Sequence, residues 1–138
     1  MIPKFRGKST ADENNGEWVY GNLIVDGRQA SIVNGIIEST EQYISIGAWC
    51  PVDAETVGQS TGIKDKNGVE VFEGDVLAVE TDEEVTNVNV FWDKKHALFM
   101  FKSKKYNEEE LLAELVEDNT YPFEIIGNIW DGGDLIDN

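Results

Sequence analysis

The sequence predicts a mainly β fold, and three observations carry this prediction. Residue pairs that favour tight reversals, at Asp26-Gly27, Asn34-Gly35 and Asn67-Gly68, separate short runs of β-branched and apolar residues. These runs either alternate in polarity or are continuously apolar, as strands are. One segment alone, near residues 107–117, has the spacing of an amphipathic helix. A chain of 138 residues with 41% hydrophobic content is sufficient for one domain with a buried core.

Residues 1–56 are predicted to form an N-terminal β-meander or arm. Residues 1–6 are interpreted as a short edge strand, because Pro3 has no N–H to donate to a neighbouring strand. Strands that reverse at Asp26-Gly27 and at Asn34-Gly35 follow, and together they give the meander.

The strands of this meander carry little charge, with Arg28 and Glu38 as their charged residues. A weakly charged exposed sheet tends to associate, and burial against a neighbouring subunit would remove that tendency. We therefore expect a homo-oligomer. Packing of the same face against the rest of the chain is the alternative, and the sequence does not decide between the two.

The stretch VGQSTGIKDKNGVEVFEGDVLAV, residues 57–79, contains two tight reversals. The first lies at Asn67-Gly68, between short apolar or β-branched segments. The second lies at Gly74-Asp75, where glycine can adopt a backbone conformation closed to other residues and the carboxylate of Asp75 can cap the turn. The apolar run at 76–79 then predicts a buried strand.

This stretch resembles the signature of the YopX family, small proteins encoded mostly in bacteriophages and prophages. The opening IPKFR at 2–6 and the segment FEIIGNIW at 123–130 resemble the start and the end of that family. The resemblance implies a small β-rich fold with an SH3-like barrel, which we assign to residues 57–138, and a phage or prophage setting. It implies no established biochemical activity. The fold-defining motif that we assign consists of Gly58, Gly62, Asp65, Asn67, Gly68, Glu73, Gly74, Asp75, Gly127 and Asn128.

The rest of the chain is predicted to add a hairpin, one short helix and a closing strand. Residues 85–92 alternate in polarity, and 97–101 are apolar on both faces. Asn107 suits a helix N-cap, the three glutamates after it suit the positive end of a helix, and apolar residues follow on one stripe. These features predict the helix near residues 107–117. The segment 123–130 is predicted to pair with the central stretch and to close the barrel.

The composition argues against catalysis and metal binding. Cys50 is the only cysteine and His96 the only histidine, so a nucleophile has one candidate base, which is predicted to lie in an exposed turn. Cys50 is interpreted as a buried residue in a reducing cytoplasm. No cysteine and histidine cluster suits a metal, and Asp131, Asp134 and Asp137 lack the spacing of a calcium loop. We expect no catalytic residue, no cofactor and no metal site.

The net charge of −16 comes from 27 acidic and 11 basic residues. It repels phosphate backbones and therefore disfavours direct nucleic-acid binding. The sequence has no signal peptide and no run of about 20 apolar residues that could span a bilayer. We expect a cytoplasmic protein of the bacterial host that makes no membrane contact.

Five of the eleven basic residues fall in one predicted hairpin, at Lys94, Lys95, Lys102, Lys104 and Lys105. One interpretation is a basic ridge that binds nucleic acid or an acidic partner, with Trp92, Phe99 and Phe101 available for stacking. The other interpretation, which we favour, is that these lysines neutralise the acidic residues of the neighbouring helix.

Two functions are consistent with these observations. The first is a non-enzymatic, self-associating protein-interaction module that contacts a host or phage protein. The second is an acidic nucleic-acid mimic that occupies a host DNA-binding protein, for which the acidic residues at 82–84 and after Lys105 are the motivation. The fold class alone warrants neither partner.

Overall fold

The computed structural model describes residues 4–39, 42, 44–103, 107–117 and 121–131, and within them the predicted mainly β fold is confirmed. The α-helix α1 is Glu114–Glu117, and short 3-10 helices occupy Asp12–Asn14 and Ala54–Thr56. The strands are β1 Phe5–Lys8, β2 Trp18–Asp26, β3 Gln29–Ser39, β4 Ile44–Val52, β5 Gly58–Lys64, β6 Glu70–Phe72, β7 Asp75–Glu80, β8 Val85–Asp93, β9 Leu98–Ser103, β10 Glu108–Leu111 and β11 Phe123–Asn128. The described residues do not show a closed SH3-like barrel, so that detail is not confirmed.

The chain divides into two compact units, Met1–Ser60 and Thr61–Asn138, which are called unit 1 and unit 2 below. This division falls close to the predicted boundary between 1–56 and 57–138. No helix in the described part of the chain has the length and apolarity that crossing a membrane requires.

Unit 1 is an antiparallel sheet in the strand order β4-β3-β2-β1, with the start of β5 beside β1. The meander of consecutive strands β2, β3 and β4 is thereby confirmed. The interpretation of residues 1–6 as an edge strand is wrong, because β1 lies between β2 and β5. Residues 1–3, which include Pro3, lie outside the described residues.

The two predicted reversals of the meander have different outcomes. The first is confirmed, because Asp26 pairs with Gln29 and Gly27 has a φ of 62°. The second, at Asn34-Gly35, is wrong, since β3 continues through both residues. Its pairing with β4 instead shifts register on either side of Gly35. An extra residue absorbed in a strand as a bulge gives such a shift, and glycine is favoured there for the same conformational freedom that favours turns.

The core of unit 1 lies on one face of this sheet. The fully buried Ile32 is at its centre, and Ala30 and Val52 are also buried; Phe5, Val19, Leu23 and Val57 pack against them. The register explains this selection, because Ile32 lies opposite Leu23 on β2 and Ala30 opposite Val52 on β4. Residues paired across an antiparallel sheet share a face.

Unit 2 contains a five-stranded antiparallel sheet in the order β10-β9-β8-β7-β11. β6 lies beside β5, where the Thr61 hydroxyl donates to the Val71 carbonyl at 2.8 Å. The predicted pairing of the last strand with the central stretch is confirmed, because β11 pairs with β7 and Asn128 lies opposite Asp75. Its described core cluster consists of Val71, Leu77, Val79, Val88, Val90, Phe101, Leu112, Leu115 and Phe123.

The predicted helix is present but much shorter, and its first half is wrong. Glu108–Leu111 form β10, which pairs with β9, and the helix begins only at Glu114. Asn107 directly precedes β10 and has a φ of 52°. This positive φ excludes the extended backbone conformation of a helix N-cap. The glutamates lie beside β9, which carries Lys102. Pairing with β9 gives their backbone N–H and C=O groups hydrogen-bond partners on one side of β10 without a helix. Leu112 and Leu115 still face the core, as the apolar spacing requires.

Candidate functional site

The first reversal of the central stretch is organised by the buried carboxylate of Asp65. Its Oδ1 accepts hydrogen bonds from the backbone N–H groups of Asn67 and Val69, each at 2.9 Å. Its Oδ2 accepts from the N–H of Ile125 on β11 at 3.1 Å. One side chain therefore holds the turn closed and also ties it to the last strand.

The environment of Asp65 has opposing effects on its pKa. Burial, which leaves the residue 7% exposed, raises the pKa, whereas the backbone donors of Ile125, Val69 and Asn67 and the nearby Lys66 ammonium lower it. The net result is a pKa below its usual value of 3.8. The carboxylate is therefore charged at neutral pH and serves as an acceptor within the fold.

The second reversal requires a glycine. Gly74 has a φ of 93°, and a Cβ at this position would collide with the indole ring of Trp130. The Gly74 N–H donates to the Val90 carbonyl at 2.8 Å, and its own carbonyl accepts from Ile129 at 2.9 Å. The buried Asp75 carboxylate accepts from the N–H of Phe72 at 2.8 Å, which confirms the expected turn cap.

The remaining motif residues serve strand pairing and turns. Gly58 lies opposite Arg6, Gly62 has a φ of 79° within β5, and Gly127 lies opposite Val76. Further motif residues occupy the turns: Gly68 has a φ of 81°, Glu73 precedes the turn glycine, and the Asn128 Oδ1 accepts from the N–H groups of Trp130 and Asp131. The motif residues therefore lie in the two reversals of the central stretch, in β5 and at the end of β11.

The outer strand β4 of unit 1 presents a different surface. None of its nine residues, ISIGAWCPV, is charged. It stands at the end of the sheet order, and its last residues are covered, since Ser9 bridges Val52 and the Thr10 N–H donates to the Pro51 carbonyl at 2.9 Å. Its Trp49 is 65% exposed.

An apolar cavity lies beside Trp49 on the sheet face opposite the core of unit 1. Its volume is about 220 Å³, and Ile24, Ser31, Val33 and Trp49 line it. Val33 pairs with Trp49, and Ile24 pairs with Ser31, so the register brings three neighbouring strands together at this place. We call Trp49, Ile24 and this cavity, together with the outer edge of β4, the β4 surface.

Comparison with known proteins identifies the family. A model of the YopX protein family matches residues 4–137, nearly the whole chain.

The chain belongs to the YopX family.

The resemblance of its central stretch and its two ends is thereby confirmed. A solved structure, that of protein EF1440 from Enterococcus faecalis, is similar to this YopX protein with a TM-score of 0.66 and 22% sequence identity. The match covers 99% of each chain, and at this identity it shows a shared fold alone. None of the curated proteins matches the chain.

The one cysteine and the one histidine of this YopX protein lie in different units, and each has its own partners. The interpretation of Cys50 as a buried residue is wrong, because it is half-buried. Its thiol donates to the Ser9 hydroxyl at 3.1 Å, and that hydroxyl donates to Asn14 Oδ1 at 2.6 Å. His96 Nδ1 lies 2.7 Å from Asp93 Oδ2 in the exposed turn that the sequence predicts. This hydrogen bond from His96 holds the pKa of Asp93 below its usual value.

Metal ligation can be judged for the described ranges. Within them, no three His, Cys, Asp or Glu side chains converge on a position where they could hold a metal ion. Asp134 and Asp137, which the sequence analysis considered for calcium, lie outside the described residues.

The lysine hairpin supports neutralisation at one position. Lys102 Nζ lies 3.9 Å from Glu109 Oε1, directly across the β9–β10 pair, so the neutralising acid belongs to a strand and not to a helix. Phe101 is buried and Phe99 packs against the core, with Trp92 edge-on to Phe99 at 4.9 Å between ring centroids. These rings are therefore engaged with one another and with the core. Lys104 and Lys105 lie outside the described residues.

A set of cation–aromatic contacts in unit 1 escaped sequence reasoning. The Arg6 guanidinium lies 4.5 Å and the Lys8 ammonium 5.5 Å from the Trp18 ring centroid, while Lys4 lies 5.7 Å from the ring of Tyr20. The signal was the alternation of bases at 4, 6 and 8 with aromatics at 18 and 20. The pairing of β1 with β2 brings the two rows onto one face.

Proposed function

We propose that this YopX protein is a non-enzymatic interaction module of the bacterial cytoplasm. It self-associates through the β4 surface and in that form contacts a host or phage protein. The observation that carries the proposal is a nine-residue uncharged strand at the end of a sheet, with a largely exposed tryptophan on it.

An open strand edge presents a row of backbone N–H and C=O groups that another strand can pair with. Proteins commonly protect such edges with lysines, prolines or covering segments. In the described part of the chain, the protection of β4 consists of Pro51 and the bridge from Ser9, both at its C-terminal end. The segment from Ile44 to Trp49 has the composition of an edge suited to pairing.

The surface beside this edge adds the apolar area that a specific interface needs. Exposed tryptophans are among the residues that contribute most to protein–protein affinity. Trp49 adjoins a cavity that can take a side chain from a partner, and Ile24 on its border is 47% exposed. A second copy supplies a complementary surface without any further component, because two-fold symmetry places the same strand on both sides of an interface.

Sedimentation velocity over about 1–100 μM protein tests self-association, a range that brackets micromolar affinity. We expect a concentration-dependent dimer or larger assembly for the wild type. Trp49→Lys should weaken it by about tenfold or more, because it removes a central aromatic and adds a charge. The matched control is Val25→Lys, at a similarly exposed apolar residue on the interior strand β2.

A wild-type protein that stays monomeric across this range contradicts the proposal. An equal effect of Trp49→Lys and Val25→Lys contradicts the assignment to the β4 surface. Absence of enzymatic activity is a separate part of the proposal, and hydrolysis of a standard ester or phosphoester panel by the purified protein would contradict that part.

The nucleic-acid mimic is kept as a second candidate because of one observation in unit 2. Residues 61–138 hold 19 Asp and Glu against seven Lys, whereas residues 1–60 hold eight against four Lys and Arg. β10 places three consecutive exposed glutamates at the end of the five-stranded sheet. Strand geometry puts Glu108 and Glu110 on one face about 7 Å apart, a regular row of charges.

Competition with DNA separates the two candidates. A mimic displaces DNA from a host DNA-binding fraction with strong salt dependence, and the combined change of Glu108, Glu109 and Glu110 to Gln abolishes the displacement. Trp49→Lys leaves a mimic fully active but disables an association module. No displacement by the wild type at low salt removes this candidate.

A further inference from the structure

A concave pocket lies on one face of the five-stranded sheet in unit 2. Its volume is about 190 Å³. The register places its strand residues side by side: Val79 lies opposite Thr86, Val88 opposite Ser103, and Ser103 opposite Glu108. The helix residue Leu115 and the loop residue Tyr121 complete the wall.

The floor and the rim of this pocket differ in chemistry. The floor consists of the buried side chains of Val79, Val88, Phe101 and Leu115. The rim carries the exposed carboxylates of Glu108 and Glu110 and the hydroxyl groups of Thr86 and Tyr121, whereas the Ser103 hydroxyl is buried and the Thr81 hydroxyl donates to the Glu84 carbonyl. An apolar body can therefore be buried while its polar end meets oxygen acceptors.

The three glutamates of β10 are divided between the two faces of the sheet. Glu109 points to the opposite face, where it meets Lys102 at 3.9 Å. Glu108 and Glu110 lie on the pocket face, and among the described residues that line the pocket none is Lys or Arg; residues 104–106 lie outside the described part of the chain. Alternation along the strand thus leaves two carboxylates that face a hydroxyl-lined, apolar cavity.

We propose that this pocket binds a small organic cation, an ammonium group carried on an apolar body of about one aromatic ring. The size follows from the volume, since an apolar cavity of about 150 Å³ accepts benzene. The charge follows from the two carboxylates, and an ammonium has three N–H donors for the rim oxygens. This binding site goes beyond the association proposed for unit 1 and does not depend on it.

Titration of the full-length protein with four probes tests this assignment. The probes are benzylammonium, benzyl alcohol, benzoate and methylammonium, and backbone amide shifts in NMR spectra report both affinity and location. Benzylammonium should bind at least about tenfold more tightly than benzoate, because the charge interaction reverses sign between them. Methylammonium, which lacks the apolar body, should bind at least about tenfold more weakly than benzylammonium.

Variants separate the charge from the cavity. The double change Glu108→Gln with Glu110→Gln should bring benzylammonium and benzyl alcohol within about twofold of each other. The matched control, Asp82→Asn with Glu83→Gln, removes the same charge from the exposed turn after β7 and should leave the preference intact. Thr86→Leu fills the cavity and should weaken both probes, and circular dichroism confirms that each variant is folded.

Any of four results overturns the proposal, three from the probes and one from the control variant. Benzoate and benzylammonium bind equally, or methylammonium shifts the same amides as benzylammonium at the same concentration, or the shifts map away from the pocket residues. A loss of preference in the Asp82 and Glu83 control also overturns it, because the effect would then come from overall charge.

Discussion

The strands at the ends of the two sheets, β4 in unit 1 and β10 in unit 2, differ in charge. β4 has no charged residue among nine, whereas three of the four residues of β10 are glutamates. Both strands are edge strands of their sheets. The charge of β10 repels a second copy of β10, whereas β4 has no charge that would repel a second β4. The contrast shows how one chain can be strongly acidic and still keep one edge suited to self-pairing.

The two units differ in their interiors as well. Among the residues whose burial the structure describes, which leave out 34–41 and 43–47 of unit 1, the core cluster of unit 2 has nine buried hydrophobic residues and that of unit 1 has three. Unit 2 also contains both reversals of the family motif, closed by the buried carboxylates of Asp65 and Asp75. We infer that unit 2 supplies most of the stability of the fold and that unit 1 supplies the interaction surface. The following predictions test this inference, from the largest effect to the smallest.

Gly74→Ala should destabilise the protein by about 4 kcal/mol, because positive φ strain and the collision with Trp130 add together. Gly27→Ala in unit 1 has open space around it, so strain alone should cost about 1 kcal/mol. Urea unfolding curves of the two variants measure the difference. Equal losses of unfolding free energy in the two variants would contradict the inference that unit 2 supplies most of the stability.

Leu112→Ala should lower the free energy of unfolding by about 3 kcal/mol, since this side chain is fully buried in the core of unit 2. Leu111→Ala, at the exposed end of β10, should cost about 0.5 kcal/mol. A helix over 107–117 would place both leucines on one apolar stripe. Similar losses in urea unfolding would favour that helix over the strand.

Asp65→Asn should destabilise unit 2 by about 2 kcal/mol, because an amide cannot accept all three backbone hydrogen bonds. The folded-state pKa of Asp65 lies below 3.8, so its stabilisation is fully present above that pH. It is lost as the pH falls from 3.8 through the lower folded-state pKa. The stability gap between wild type and variant should therefore be constant at pH 5–7 and should narrow in more acidic solution; a gap that widens on acidification contradicts the assignment.

Lys102→Gln should change stability by no more than about 0.5 kcal/mol, because its ion pair with Glu109 is solvent-exposed. The change should vanish in about 0.5 M salt, where the screening length is short. Thermal unfolding at low and high salt measures it. A loss of unfolding free energy above about 1.5 kcal/mol would mean that the ion pair of Glu109 with Lys102 stabilises the fold. The charge difference between β10 and β4 would then concern stability as well as association.

The tight turns were predictable from sequence because their determinants are local. Gly27, Gly68 and Gly74 all take positive φ where a reversal was expected. Asn34-Gly35 has the same local chemistry, but pairing of β3 with β4 extends the strand through it. Residues Glu108–Glu110 likewise have the local composition of a helix start. They form a strand instead, because they pair with β9, a contact that local sequence does not reveal.

The candidate surfaces were less accessible to sequence reasoning. The low charge of the meander strands is visible in the sequence, and it is the basis of the expectation of oligomers. The position of β4 at the end of the sheet is a matter of topology, and the exposure of Trp49 depends on the sheet face that the register assigns to it. The pocket on the sheet of unit 2 draws residues from positions 79 to 121, on four strands, the helix and two loop positions, so no sequence spacing reveals it.

Hydrogen–deuterium exchange at two protein concentrations, about 2 and 200 μM, tests most directly whether the neutral strand end and not the acidic one pairs with a second copy. Slower exchange of the β4 amides at the higher concentration, with unchanged exchange in β10, is the predicted result. Exchange in β4 that is independent of concentration, or slowing confined to β10, would contradict the account.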